Sequence, residues 1–291
     1  MHVYLATDGS PTAAEAERLL AKFPFAEPPR VTLATVCPVP DLHAISSDVT
    51  MPVTELVDQC RSEATKLLSQ KATRCQEWAG SVETLLLAGH PADELLQSIE
   101  SVHPDVVVVG SRGLGAVRRM LLGSVSERIV KHAPCSVLVA HAPKHGLQFD
   151  SFLFADDGSK AALAGIDRFA PLLKGRRCWI ELLSVVEQIS VYGMDLAMEA
   201  DGGLQQTLAE NLARLKEHAA KFDRDRAMIE TSVRTATDVA DAVLHMAEEK
   251  HTDLIVVGSR GKSVWERFLL GSVSLGVLHH MPCSVWIERV K

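Results

Sequence analysis

The chain has 291 residues, a length that predicts about two domains at roughly 100–200 residues each. Apolar residues make up 47% of the sequence and charged residues 23%, which is typical of a folded globular protein and excludes a disordered chain. The formal net charge of −7 excludes a general binder of nucleic acids or anionic membranes, because such proteins carry the opposite sign.

The first predicted element is a short apolar strand, Val3–Thr7, which is followed by Asp8 and Gly9. This run leaves no room for the charged and apolar regions of a signal peptide. No apolar stretch approaches the ~20 residues that span a bilayer. The six cysteines include no C-x-x-C pair and no short Cys/His cluster of metal ligands. Because the chain is large enough to bury a core, we expect no disulfide framework. The sequence therefore predicts a soluble, cytoplasmic protein.

Strands and helices alternate along the first half of the chain. The predicted strands are Val3–Thr7, Val31–Val36, Glu83–Ala88, Val106–Val109 and Val137–Ala140. A helix is predicted over Ala13–Lys22, and apolar residues spaced by three and four from Val53 to Leu68 predict a second one. Because strands that alternate with helices form right-handed crossovers, this pattern predicts a parallel sheet.

The second half of the chain repeats the first. The segments Asp105–Val137 and Asp253–Val285 are identical at 19 of 33 positions without a gap. A repeat of about 148 residues is far longer than that of a solenoid and indicates a duplicated domain. We expect domains at residues 1–142 and 149–291. Leucines from Leu204 to Leu215 repeat the helical stripe of the first half.

A glycine motif follows the fourth strand of each half. It reads Gly-x-x-Gly, nine residues, then Gly-Ser-Val-Ser, beginning at Gly110 and again at Gly258. Ser124 and Glu127 form the pattern of a capping box at the start of a predicted helix. Such a helix start, next to glycines, can bind phosphate through backbone N–H groups. The alternative is that these glycines only permit tight turns between strand and helix.

Asp8 and Asp157 end the first strand of each half. Such a carboxylate can accept a hydrogen bond from a ribose hydroxyl or an adenine amine, or help to hold a divalent ion. Asp-Gly-Ser is an equally good turn and helix entry, and the spacing does not separate these interpretations. Because the sequence has no P-loop and no persuasive pair of base and nucleophile, it favours binding over catalysis.

These motifs resemble those of the universal stress protein family in a tandem, two-domain form. The resemblance implies an α/β fold of two tandem doubly wound domains, each with a five-stranded parallel sheet of order 3-2-1-4-5 and helices on both faces. It also implies a non-enzymatic stress-response protein that binds ATP, ADP or AMP. The family's edge-to-edge dimer implies that the two halves pair as a pseudo-dimer. The same mode of pairing allows two chains to form a homodimer.

The resemblance also assigns binding residues. Asp8, beside Thr7, and the backbone at Val36 would meet adenosine. Ribose and phosphates would contact Gly110, Arg112, Gly113, Gly123, Ser124, Val125 and Ser126. The matching residues of the second half are Asp157, Val185, Gly258, Arg260, Gly261, Gly271, Ser272, Val273 and Ser274.

The second half departs from this pattern. Leu275 replaces Glu127, and Asp156 replaces Thr7, which would place two adjacent carboxylates at the phosphate site. Because such a pair repels a triphosphate unless Mg²⁺ or Mn²⁺ intervenes, we expect tighter binding in the first half and weak or metal-dependent binding in the second. Two further readings stay open: a slow Mg²⁺-dependent ATPase or phosphotransferase, and a scaffold that binds no nucleotide.

Overall fold

The computed structural model describes residues 1–38, 53–113, 122–188, 190–191, 194–195, 203–261 and 270–290. The chain divides into two compact units: Met1–Ala21 with Glu27–Ala140, and Lys22–Ala26 with His141–Lys291. Within the described ranges, no helix is long and apolar enough to cross a membrane.

The first unit alternates strands with helices, as predicted. Its elements are β1 (His2–Ala6), α1 (Pro11–Lys22), β2 (Arg30–Cys37), α2 (Val53–Cys75), β3 (Ser81–Ala88), α3 (Pro91–Val102), β4 (Val106–Gly110), α4 (Ser124–His132) and β5 (Ser136–Ala140). The run of β-branched residues in β4 is completely buried, as expected for a central strand of a parallel sheet.

The strands of the first unit form a parallel sheet in the order β3-β2-β1-β4-β5. The chain moves from β1 outward to β3 and then returns to the other side of β1 as β4. Because the crossovers of parallel strands are right-handed, this reversal places α1 and α2 on one face and α3 and α4 on the other. Ligands of such sheets bind at the carboxyl ends of the strands where the order reverses, here between β1 and β4.

The second unit repeats this architecture. Its elements are β6 (Ser151–Ala155), α5 (Lys160–Leu172), β7 (Cys178–Glu187), β8 (Ser190–Val191), β9 (Met194–Asp195), α6 (Gly203–Ala219), β10 (Ala227–Ala236), α7 (Val239–Glu249), β11 (Leu254–Gly258), α8 (Ser272–His280) and β12 (Ser284–Glu288). The parallel order β10-β7-β6-β11-β12 matches that of the first unit. The short antiparallel pair β8–β9 was not expected from the sequence.

A buried carboxylate in the second sheet yields a test of stability against pH. Glu181 is 1% exposed, pairs in register with Glu230 of β10, and has its pKa raised by burial. A raised pKa means that the folded state binds the proton more tightly, so stability falls as pH rises above the unfolded value near 4.5. We expect Glu181→Gln to raise the melting temperature by about 2 °C or more at pH 7.5. Scanning calorimetry should show no gain at pH 4.5, whereas an equal gain at both pH values would contradict this assignment.

Candidate nucleotide-binding cavity

A cavity of about 690 Å³ lies at the carboxyl ends of β1 and β4, where the strand order reverses. All ten of the binding residues predicted for the first half line it. They are Thr7, Asp8, Val36, Gly110, Arg112, Gly113, Gly123, Ser124, Val125 and Ser126. The sequence therefore identified one edge of the sheet correctly as the place where these residues come together.

Asp8 and Gly113 lie in contact at this edge. One oxygen of Asp8, Oδ1, accepts a hydrogen bond from the N–H of Ser10 at 2.9 Å. A Cβ atom on residue 113 would stand only 2.7 Å from the other oxygen, Oδ2. Glycine at position 113 is therefore required for the carboxylate to stay where it is.

The loop after β4 is held against the start of α1. The hydroxyls of Ser10 and Thr12 both donate hydrogen bonds to the carbonyl oxygen of Arg112. The Nε atom of Arg112 is buried and has no hydrogen-bond partner among the residues that the structure describes. A buried donor of a guanidinium group without an acceptor is costly, and an anion beside this atom would offset that cost.

The start of α4 forms the far side of the cavity. Gly123 is the N-cap, and its N–H donates to the carbonyl oxygen of Ser111 at 2.8 Å. The hydroxyl of Ser126 donates to the carbonyl oxygen of Gly110 at 2.7 Å, which joins the helix to the end of β4. Because the first N–H groups of a helix lack an intrahelical acceptor, those of Ser124 and Val125 offer donors to a ligand.

The predicted capping box is wrong. Ser124 is the first helical residue rather than the N-cap, and no side chain caps this helix. The carboxylate of Glu127 instead contacts the ammonium group of Lys131 at 2.6 Å. Since the N-cap is a glycine, the start of the helix carries no side chain that would compete with a bound anion.

An apolar wall, which the sequence did not assign to the site, completes the cavity. The face of α2 contributes Cys60, Ala64 and Leu67, and Ala34 and Leu95 come from β2 and α3. The stripe of apolar residues on α2 was predicted only as a core face. Its role in the cavity follows from the position of α2 over β2 and β3, which the spacing alone does not show.

A disulfide at the edge of this wall corrects the expectation for the cysteines. Cys37, at the end of β2, is bonded to Cys60 of α2, and their Cα atoms are 6.0 Å apart. The two residues are 23 positions apart in sequence, so no local motif marks them. The other cysteines are buried and form no disulfide with any residue that the structure describes; they are Cys75, Cys135, Cys178 and Cys283.

The second unit builds the same loop and helix start. The Oδ1 atom of Asp157 accepts the N–H of Ser159 at 2.9 Å, and a Cβ on Gly261 would lie 2.9 Å from Oδ2. Gly271 is the N-cap of α8, and the hydroxyl of Ser274 donates to the carbonyl of Gly258 at 2.6 Å. The remaining predicted residues follow the same placement: Val185 in β7, Arg260 in the loop after β11, and Ser272 and Val273 at the start of α8.

The two adjacent carboxylates that were expected to repel phosphate do not act as a pair, which corrects that hypothesis. Asp156 is 2% exposed, and its Oδ2 lies 2.6 Å from Nδ1 of His218. Its Oδ1 accepts the N–H of Gly158 at 2.7 Å and lies 3.6 Å from Nε of Arg214. The charge of Asp156 is thus balanced within the protein, and the reason for expecting a metal ion there falls away.

Arg214 marks the main difference between the two units. The helices α2 and α6 occupy equivalent positions in the two units. Buried Leu68 of α2 matches buried Leu215 of α6, an offset of 147 residues, and buried Lys71 and His218 share that offset. The same offset aligns Arg214 with Leu67. The guanidinium of Arg214 donates to the Ser184 hydroxyl at 3.0 Å and to the Asp156 carbonyl at 3.3 Å. A polar, internally bonded side chain therefore replaces part of the apolar wall in the second unit.

Comparisons with known proteins agree with this architecture. The model of the universal stress protein family matches residues 1–141 and 148–289. A universal stress protein of Mycobacterium bovis is 28% identical over 277 residues, which cover 87% of this chain and 87% of that protein. One from Methanocaldococcus jannaschii is 34% identical over 145 residues, covering 49% of this chain and 82% of the relative. The crystal structure of a universal stress protein from Archaeoglobus fulgidus covers 99% of this chain and 98% of its own, with a TM-score of 0.68 and 21% identity, which supports the fold. Because the family model matches both halves, the chain belongs to the universal stress protein family.

Proposed function

We propose that the first unit binds an adenine nucleotide, ATP or its ADP and AMP relatives, and that the protein is a regulator rather than an enzyme. One observation carries this proposal: a single cavity combines an apolar wall with a cradle of N–H donors and the Nε atom of Arg112, which has no partner in the described ranges. A cavity of about 690 Å³ falls within the range of small-molecule sites, which is roughly 300–1,000 Å³.

The two ends of the cavity suit the two ends of a nucleotide. We place the phosphates at the Gly110–Gly113 loop and the start of α4, where backbone N–H groups and the partial positive charge of the helix favour anions. The base would lie against Ala64 and Leu67, beside the backbone of Val36. Asp8 stands between these ends, where its carboxylate would accept a hydrogen bond from a ribose hydroxyl.

We propose that the second unit binds nucleotide more weakly. Its phosphate cradle is retained, from Asp157 and Gly258 to Ser274, but Arg214 stands where Leu67 would contact the base. An apolar ring gains little from a guanidinium that is already bonded to Ser184 and to the Asp156 carbonyl. Mg²⁺ or Mn²⁺ would enter either site with the nucleotide.

The remaining expectations are proposals of the same kind. We propose a cytoplasmic protein that acts in a stress response, with domains at residues 1–142 and 149–291. We also propose that the two domains pair as a pseudo-dimer, and that the chain assembles further into a homodimer without binding nucleic acid or membranes. The oligomer is measured by analytical ultracentrifugation of the full chain with and without ATP.

Mass spectrometry of the ligand that co-purifies tests the proposed function. The protein is purified without added nucleotide and denatured, and we expect an adenine nucleotide in the supernatant. A second, native sample is then incubated with ATP and Mg²⁺. After the excess is removed, we expect the protein to retain about one equivalent of intact ATP per binding site. Release of ADP and phosphate over many turnovers would favour the ATPase, and absence of both nucleotide and thermal shift would favour the scaffold.

A further inference from the structure

The disulfide partners lie at the wall of the cavity, on two different elements. Cys37 is the last residue of β2, one position after Val36, and is 5% exposed. Cys60 belongs to α2, is partly exposed, and lines the cavity itself. A covalent bond between them therefore ties α2 to the end of β2 at the place where we propose that the base binds.

The four cysteines outside this disulfide have surroundings that slow their reactions. All four are buried. Burial raises the pKa of Cys75 to about 11 and also raises the pKa values of Cys178 and Cys283. Because the thiolate is the nucleophile in thiol–disulfide exchange, these groups react slowly at neutral pH. We therefore expect thiol–disulfide exchange in the folded chain to occur first at the pair beside the cavity.

We propose that Cys37 and Cys60 are a reversible redox-active pair, and that their disulfide increases the affinity of the first unit for nucleotide. The second half of this proposal rests on the proposed function, whereas the first half does not. In a reducing compartment disulfides are usually transient and redox-sensing rather than structural. The second unit has no such pair, because Val186 ends the matching stretch of β7 and Thr207 stands at the position of Cys60.

The oxidant is a small disulfide such as oxidised glutathione. The thiolate of Cys60, the more accessible of the two, attacks one sulfur of the small disulfide, forms a mixed disulfide and releases one glutathione thiolate. The thiolate of Cys37 then attacks Sγ of Cys60, which forms the protein disulfide and releases the second glutathione. Two electrons pass from the protein to the oxidant, and two molecules of reduced glutathione reverse the reaction.

The bond acts on nucleotide affinity through pre-organisation. With α2 fixed to β2, the apolar wall is already in place before the ligand arrives, so less conformational freedom is lost on binding. We expect about fivefold tighter ATP binding to the oxidised protein, at the lower end of typical coupling between sites. By reciprocity, saturating ATP should lower the midpoint potential of the pair by about 20 mV, which is a fivefold change at 29.6 mV per tenfold.

The thiol state is measured first, without nucleotide. The full chain is equilibrated in glutathione redox buffers, alkylated, digested and examined by mass spectrometry. We expect one internal cross-link between Cys37 and Cys60, while the other cysteines become alkylated only after denaturation. A pair that stays reduced in oxidised glutathione, or a mixture of other cross-links, would overturn the proposal.

Calorimetric titration with ATP is then carried out on the oxidised and the reduced protein. We expect the fivefold difference in the wild type and in the control Cys178→Ala. We expect its loss in Cys37→Ser, which changes the disulfide partner that does not line the cavity and should bind ATP like the reduced protein. Equal affinities in both states of the wild type would overturn the coupling and leave nucleotide binding intact. If neither state binds ATP while the disulfide still forms and breaks, the proposed nucleotide binding and its coupling to the disulfide are both wrong. The proposal of a reversible redox pair is then still supported.

Discussion

Replacement of Gly123 by valine is expected to lower the affinity for ATP at least 100-fold. A Cβ atom at this position would lie 3.5 Å from Cα of Arg112 and 3.6 Å from the backbone nitrogen of Gly113, which are ordinary contacts that the fold tolerates. The two methyl groups beyond it would cover the N–H groups that we assign to the phosphates. Loss of two hydrogen bonds to a charged group costs about 3 kcal/mol or more, which corresponds to about 100-fold.

The second unit supplies the matched control for this variant. A Cβ on Gly271 would also make ordinary contacts, 3.6 Å from the Ser259 carbonyl and 3.7 Å from Cα of Arg260. Because we assign tight binding to the first unit, Gly271→Val should leave the affinity of the tight site for ATP within about twofold of the wild-type value. Titration calorimetry on both variants compares them directly, and equal losses of bound ATP would contradict the assignment.

Replacement of Asp156 by alanine is expected to destabilise the second unit by about 3 kcal/mol, since removal of one member of a buried ion pair typically costs 3–5 kcal/mol. The carboxylate is buried against His218 and Arg214, and it also accepts the N–H of Gly158. The alanine variant would leave these donors without their acceptor in a buried place.

Thr7→Ala is the matched control, because Thr7 occupies the same position in the first unit. Within the part of the chain that the structure describes, its hydroxyl accepts one long hydrogen bond, 3.3 Å, from the N–H of Gly9, so we expect a loss below about 1 kcal/mol. Scanning calorimetry of the two variants and the wild type measures both effects. A loss of less than 1 kcal/mol for Asp156→Ala would show that the cluster around Asp156 contributes little to stability.

Much of the fold was predictable because its signals are local. The run of valines in β4 and the glycines after β4 each have a physical reason in their own residues, and the duplication repeats the glycines after β11. The alternation of strands and helices then placed Asp8, Gly110 and Gly123 at one edge of the sheet, since parallel strands end together.

Two features that escaped prediction depend on contacts between elements that are distant in sequence. The sequence predicts that Asp156 is a second carboxylate facing the ligand, because no residue near it in sequence indicates its contacts. Those contacts are with His218 and Arg214, which belong to α6. Cys37 and Cys60 meet only because α2 packs over β2. The capping box failed for a local reason: Gly123 took the N-cap position and moved Ser124 into the first turn.

One half of this duplicated chain should hold a nucleotide tightly. Titration calorimetry of ATP into nucleotide-free wild-type protein measures that binding directly. We expect one tight site per chain, followed at higher ATP concentration by a much weaker second site, with no release of phosphate during the titration. Two sites of equal affinity, or no binding at all, would contradict it.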